Sequence, residues 1–330
     1  MPGIDRSGGL AVVVIGLNAA ATLEACLRSV RAAAAPLGEG VRVLYVDGGS
    51  RDASADIARG LGVEVIQLRT DRPTAAKGRN AGWRAVQAEL VQFVDSDTVL
   101  EPDWLVRGTA AIEQDGRIAA LFGQLHEANP TGSLYNEVCG FDWYVPPGDW
   151  RMCGGNALFR LEALRQVDGS DEALAAGEEA DLCWRLRRRG WRIVCVEGVM
   201  AHHDLGMTGF TAYWRRAERS GHAYAEIGTR FAGTDDPMWR AELRRNLALP
   251  PAALLLAAVA WAVAGRLGLL ALAALAAAVV LRKFVALRRR IPAPGFRVLY
   301  LGHLAFIRLP LFVGAVRYLL GPRSPPAVKG

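Results

Sequence analysis

The sequence predicts an α/β fold, a doubly wound and mostly parallel sheet, followed by a C-terminal helical membrane region. Three observations predict it. Short apolar runs alternate with helix-patterned segments through the first hundred residues. Polar and acidic residues stand directly after those runs. From residue 247 onward the chain has no Asp or Glu and is rich in Ala and Leu.

Residues 10–15 form the first strand, a run of apolar and β-branched residues. The run is short, lacks a basic stretch before it and leads into Asn18, so it reads as a buried strand and not as a signal peptide. Residues 20–35 carry Leu23, Leu27 and Val30 at helical spacing. Residues 41–46 and 63–68 are strands, with a short helix at 54–61 between them. A helix follows at 75–88 and a fourth strand at 90–94. Near-continuous apolar strands separated by helices imply a parallel sheet covered on both faces. Ligands of such sheets lie beyond the carboxyl ends of the strands. There the sequence places Asn18, then Asp47-Gly48-Gly49-Ser50 with Asp52, then Asp95-Ser96-Asp97. Residues 100–205 are mixed, with a strand at 193–196.

The 330 residues have room for one large domain or two ordinary ones, and their charge is divided unevenly. Residues 1–246 hold 28 Lys/Arg against 33 Asp/Glu, −5, while residues 247–330 hold 11 Lys/Arg and no acid, +11. A nucleic-acid partner is not expected, because the basic surface is not on a folded reading module. An acid-free, basic-flanked apolar tail points to membrane lipids. The five cysteines form no CxxC and suggest a reducing, cytosolic setting. We divide the chain into a catalytic domain at 1–205, amphipathic or interface helices at 206–246, a transmembrane hairpin at 247–281, and a basic tail at 282–330 with a third apolar, membrane-associated segment. In 206–246 the residues Phe210, Tyr213, Trp214, Ala217, Gly221 and Tyr224 share a stripe opposite Arg215, Arg216 and Arg219. That pattern suits a membrane surface or a helix packed on the domain. The 247–281 stretch holds one charge, Arg266, between Gly265 and Gly268. It is a long single span or a hairpin turning at the glycines. A hairpin returns Arg282, Lys283 and Arg288–Arg290 to the cytosol, as the positive-inside rule prefers. Residues 298–320 are apolar, but His303, Arg308, Pro310 and Arg317 share no face. The Pro-rich end, 321–330, is expected to be disordered.

Two carboxylates at i and i+2 on a turn, Asp95 and Asp97, suit a divalent cation that grips a diphosphate. A DxD alone is weak; its position after a strand strengthens it. Glu178-Glu179 opens a helix and offers a general base. Gly154-Gly155-Asn156 allows backbone to approach a sugar ring closely. Trp143, Trp150 and Trp184 are candidates for sugar stacking or for core packing.

On the stretches 12–18, 45–52, 77–82, 93–97, 153–156 and 177–182, in this order, the chain resembles the family 2 glycosyltransferases, inverting nucleotide-sugar enzymes of the GT-A fold. The membrane segments resemble those of bacterial members acting on surface polysaccharide or glycolipid intermediates. The resemblance implies a nucleotide-diphosphate sugar donor, a UDP-sugar being the commonest, and a lipid-linked acceptor. It implies a Mn2+ or Mg2+ cofactor. Asn18, Asp47, Lys77, Arg79 and Asp95 would contact the donor, and Asp97 would bind the metal, with His202 or His203 completing its shell. Gly154, Gly155 and Asn156 would face the acceptor. Glu179 would be the general base, with Glu178 the alternative; the family usually has Asp at this place. The implied location is the cytoplasmic membrane, with the catalytic domain facing the cytosol.

Three other functions compete with this one. A nicotinamide dehydrogenase needs GxGxxG after the first strand, whereas residues 16–21 hold one glycine. A processive synthase would carry a QxxRW-type motif, and Trp214-Arg215-Arg216 is followed by Ala217 and Glu218. A membrane-anchored protein of the same fold without catalysis, serving binding or scaffolding, is the alternative to the enzyme.

Overall fold

The computed structural model describes residues 9–321. The Pro-rich end beyond Gly321 and the segment before Gly9 lie outside the described residues. Contacts divide the chain into two units, one of residues 9–129 and 140–205, the other of residues 130–139 and 206–321.

The first unit is built, in chain order, from β1 (Leu10–Gly16), α1 (Leu23–Ala34), β2 (Arg42–Asp47), α2 (Ser54–Gly60), β3 (Glu64–Gln67), α3 (Ala75–Arg84), β4 (Leu90–Asp95), β5 (Thr98–Leu100), α4 (Trp104–Glu113) and β6 (Ile118–Glu127). After α5 (Leu134–Phe141), which begins in the other unit, come β7 (Gly148–Asp149), β8 (Ala157–Arg160), α6 (Leu161–Gln166), α7 (Glu178–Arg188) and β9 (Arg192–His203). The strands form one sheet in the order β3-β2-β1-β4-β8-β6-β9-β5, with β7 on β9. β3, β2, β1 and β4 run parallel, as their apolar runs predict. Beyond β4 the sheet is mixed: β8 is antiparallel to β4 and to β6, and β5 is antiparallel to β9. Val12, Val13 and Val14 of β1 are wholly buried, because β1 is central and helices cover both faces. Leu23, Leu27 and Val30 of α1 and Trp104 and Ile112 of α4 fill the same core. Inside it, Trp104 Nε1 donates to Gln92 Oε1 at 2.9 Å, so this buried amide has a partner.

This arrangement brings three strand ends to one edge. Gly16 pairs with Asp47 and Ile15 with Asp95, so β1, β2 and β4 finish level. The antiparallel partners then deliver later residues to the same edge. β8 starts beside the end of β4, and β9 ends opposite Thr98. The strand expected at 193–196 is much longer here. β9 spans twelve residues and contains both histidines, which lie beyond the end of the strand expected from sequence. Irregular pairing with β6, with register shifts near Gln124, lies behind the difference, because it interrupts simple alternation.

The second unit is helical: α8 (Phe210–Arg230), α9 (Arg240–Ala286), α10 (Pro294–Phe306) and α11 (Arg308–Leu320). Tyr213, Ala217 and Gly221 of the aromatic stripe are buried. A Cβ on Gly221 would overlap the Leu311 backbone, and one on Gly314 would overlap Glu218 and His222. α8 and α11 thus touch backbone to backbone, and the stripe is covered by protein at that point. Phe210 and Trp214 meet the Phe306 ring, with centroids 5.7 and 6.0 Å away. The polar residues of 298–320 are bonded within the unit. His303 Nδ1 lies 2.9 Å from the Tyr213 hydroxyl, and Arg308 donates to Asn246 Oδ1 at 3.0 Å.

α9 is interrupted at Ala264 (φ −136°, ψ 15°) and Gly265 (φ 54°, ψ −133°). A Cβ on Gly268 would overlap the Ala260 carbonyl. Eight residues of unbroken helix separate their ends by about 12 Å, so the chain reverses here and its two halves pack together. Two helical stretches among the described residues, Arg240–Arg289 and Pro294–Leu320, are long and apolar enough to cross a membrane. Leu254, Val263 and Leu267 in the first are exposed large apolar side chains.

Candidate active site

The first loop of the site is tied together by its own polar residues. Asn18 has a left-handed backbone (φ 53°). Its N–H donates to Ser50 Oγ at 2.8 Å, and its Oδ1 accepts from the Arg51 N–H at 3.0 Å. Asp47 is completely buried; it accepts from the Ser50 N–H at 3.1 Å and faces the Tyr45 hydroxyl at 3.4 Å. Asp52 accepts from the Ala20 N–H at 3.0 Å. Its carboxyl is held below its usual range by the hydrogen bond from Ser54 first, then by the one from Ala20. Asn18 and Asp47 therefore shape the rim that follows β1 and β2.

Thr74 caps α3, accepting from the Lys77 N–H at 3.2 Å. Lys77 Nζ donates to Thr70 Oγ1 at 3.0 Å and to the Arg72 carbonyl at 2.8 Å, holding the preceding loop. Arg79, two residues on, is nearly enclosed and meets three carboxylates. Its Nη2 lies 3.1 Å from Asp95 Oδ1, and its Nη1 lies 3.0 Å from Glu178 Oε1 and 3.4 Å from Glu179 Oε1. Asp95 is also held by Asn156. The Asp95 N–H donates to Asn156 Oδ1 at 2.8 Å, and Asn156 Nδ2 donates to Asp95 Oδ2 at 3.0 Å. A Cβ on Gly155 would overlap the Arg79 guanidinium, so the bare backbone is what lets Arg79 reach Asp95. Gly155 and Asn156, read from sequence as acceptor-facing, thus pack against Arg79 and Asp95. Gly154 meets no neighbour that would exclude a Cβ. Cys153, just before it, is buried with its Sγ 3.6 Å from Cys183 Sγ, both as free thiols.

Glu178 and Glu179 open α7 after Gly177, whose φ is 84°. Carboxylates in a first helical turn are favoured by the helix dipole. Glu178 is buried, whereas the Glu179 side chain keeps a quarter of its surface. Burial, then the neighbouring Glu178 charge, raises the Glu179 carboxyl to about 7, against the opposing pull of Arg79. A carboxylate poised near neutrality suits a general base.

The two histidines part company. Along a strand, successive side chains point to opposite faces. His203 Nε2 lies 3.0 Å from Asp97 Oδ1, and the Trp143 ring centroid is 5.2 Å from the His203 ring. His202 turns to the other face, 3.0 Å from Glu101 Oε1 and edge-on to His126. Asp97 Oδ1 is enclosed and accepts no hydrogen bond of proper geometry. A carboxylate oxygen and an imidazole nitrogen 3.0 Å apart match two adjacent ligands of an octahedral ion with bonds near 2.1 Å. Asp97 and His203 fit a hard divalent cation in that sense; His202 is not brought to it. Trp150 is partly exposed and donates to the Pro146 carbonyl, and Trp184 lies beside Arg188.

Sequence reasoning missed the Arg79 bridge and the Asn156 brace. Both depend on partners far away in the chain. The one available signal was the run Lys77-Gly78-Arg79-Asn80, in which Arg79 and Asn80 are polar residues on the buried side of a helix.

Residues 11–138 match the family described as Glycosyl transferase family 2. The succinoglycan biosynthesis protein ExoA of Rhizobium meliloti is 29% identical over 203 residues, which cover 55% of this chain and 59% of that one. The pre-mycofactocin glycosyltransferase of Mycobacterium tuberculosis is 27% identical over 186 residues, 50% of this chain and 38% of that protein. The match thus spans less than two thirds of either relative. Among solved structures, a mannosyltransferase of Pyrobaculum calidifontis in complex with GDP-Man and Mn2+ superposes with a TM-score of 0.68 at 20% identity, over 96% of this chain and 90% of that one. Glucosyl-3-phosphoglycerate synthase of Mycobacterium tuberculosis, with Mn2+ and UDP-Glc, superposes with a TM-score of 0.51 at 19% identity, over 70% and 81%. At these identities the structural likeness is one of fold. The family match over residues 11–138, which include the strands that carry the site, makes this part of the chain similar to glycosyl transferase family 2, and the shared architecture is that of the GT-A fold.

Proposed function

We propose that the chain transfers one sugar, with inversion, from a nucleotide-diphosphate sugar to a lipid-linked saccharide or glycolipid held in the membrane. The observation that carries this reading is the gathering of Asp95, Asp97, Glu178 and Glu179 at one sheet edge, with Glu179 poised near neutrality. Glu179 takes the proton of the acceptor hydroxyl. The oxygen attacks the anomeric carbon as the bond to the diphosphate breaks from the opposite face. Asp97 and His203 would hold a divalent cation, which supplies positive charge against the diphosphate when bound. Asn18, Asp47 and Lys77 shape the loops around the donor, and Gly154 lies free to face the acceptor.

A UDP-sugar is the proposed donor. Solved neighbours carry both guanosine and uridine donors, so the test includes both. The membrane-held acceptor is supported by the exposed apolar helices and by a relative named for succinoglycan biosynthesis. A catalytic domain facing the cytosol, on the cytoplasmic membrane, is supported by the basic cluster after the α9 turn.

The test is nucleotide release and lipid-product formation from a panel of UDP- and GDP-sugars, with Mn2+ and membrane extract. Asp97→Asn and Glu179→Gln should each cut transfer at least about a hundredfold, the lower range for a general base. Full activity in either would remove its assigned role. No release from any donor by the wild type would favour the non-catalytic scaffold.

A further inference from the structure

Arg79 has no free fork for a ligand. Its side chain is 6% exposed, and both terminal nitrogens face carboxylates from β4 and α7. Those elements lie on either side of the place where donor and acceptor would meet. The guanidinium is planar, so its two ends fix the directions of Asp95 and of the acid pair together. Asn156 holds the remaining oxygen of Asp95, and the missing side chain of Gly155 leaves room for Arg79 to reach it.

We propose that Arg79 is a positioning residue that couples the donor-side acid Asp95 to the base Glu179, setting both where the base sits and how readily it binds a proton. The proposal rests on the transfer reading above. The charged and titratable groups facing Glu179 are Glu178 on its own helix, Arg79 from α3, Asp95 from β4, and the thiol of Cys153 on the loop before β8. The Cys153 thiol is itself pushed up by its contact with Cys183 and by burial, so it stays neutral. Arg79 alone among the groups named acts on Glu179 with positive charge. Removing it should strengthen proton binding at Glu179, and removing Glu178 should weaken it.

The experiment titrates Glu179 directly in the full-length protein in detergent. Carbon-13 carboxylate resonances of glutamate-labelled protein are followed against pH, with Glu179→Gln used to assign the signal. Arg79→Gln should move the Glu179 midpoint upward from about 7 by about one unit, the lower range for an opposite charge at this distance. Glu178→Gln should move it downward. Arg79→Lys keeps the charge without the fork, so it should leave the midpoint near that of the wild type. In nucleotide release from UDP-glucose and GDP-mannose with Mn2+, Arg79→Lys should lower kcat about tenfold or more with donor KM within about twofold, as for a misplaced reacting group. An unmoved midpoint in both Arg79→Gln and Glu178→Gln would overturn the proposal, as would an Arg79→Lys defect confined to donor KM. If the wild type releases no nucleotide, the transfer reading fails, while the titration still decides the coupling.

Discussion

At the scale of single residues the site is a balance of charge held by short contacts. Gly155→Ala would push a methyl into the Arg79 guanidinium. Overpacking of this kind costs about 1–3 kcal/mol, so urea unfolding should show that loss together with a strong fall in transfer. The Glu179 carboxyl gives a second expectation. Its midpoint of about 7 means that the proposed base is protonated on the acid side, so the rate should fall as pH drops through 7. The sign for stability is opposite. A carboxyl whose folded midpoint lies above its unfolded one favours the folded state at low pH. That contribution is lost as pH rises from the ordinary glutamate range through about 7. Glu179→Gln should remove this pH dependence, read as a flatter plot of melting temperature against pH. The acids themselves were legible from sequence, because each follows a strand or opens a helix. The separation of His202 from His203 was not, since the expected strand ended at residue 196 and left their faces undefined.

Elements show where local pattern suffices and where it fails. β1, β2 and β4 were legible because a parallel strand covered on both faces is apolar over most of its length, and β3, the outer strand, because Val65 and Ile66 stand between its exposed polar ends. β5 and β7 are three and two residues long and leave no pattern to read. β8 runs antiparallel to β4, and only that pairing explains why Asn156 braces Asp95. In the helical unit, the stripe on α8 was visible, but its cover was not. α11 meets α8 through Gly221 and Gly314, contacts between elements ninety residues apart that helical periodicity does not encode. Gly314→Leu should force these helices apart, lowering the melting temperature in detergent while leaving the Glu179 titration in place. Gly265 sits at φ 54° and ψ −133°, a backbone open to glycine almost alone. Gly265→Ala should cost about 1–3 kcal/mol at the α9 turn, read as reduced thermal stability in detergent.

The whole chain joins an acidic portion to an acid-free one. Composition showed that split directly, since 11 Lys/Arg and no Asp or Glu fall after residue 246. Juxtamembrane basic residues gain about 1 kcal/mol each near an anionic bilayer. Replacing Arg288, Arg289 and Arg290 together by Glu should weaken flotation with anionic vesicles and change flotation with neutral ones little. High salt should act on the wild type in the same direction. The bridge at Arg79 has a further consequence, in time. Its partner Glu178 lies 99 residues further along the chain. At ordinary translation speeds that interval is roughly five to twenty seconds. Throughout it the guanidinium has no acid pair to meet, and of its three carboxylate partners only Asp95 has been made. The four parallel strands are complete by residue 95, yet the cluster closes only when α7 has been made. Competence is thus a late event in the life of each molecule, dated by the position of the acid pair and not by the speed at which the sheet forms.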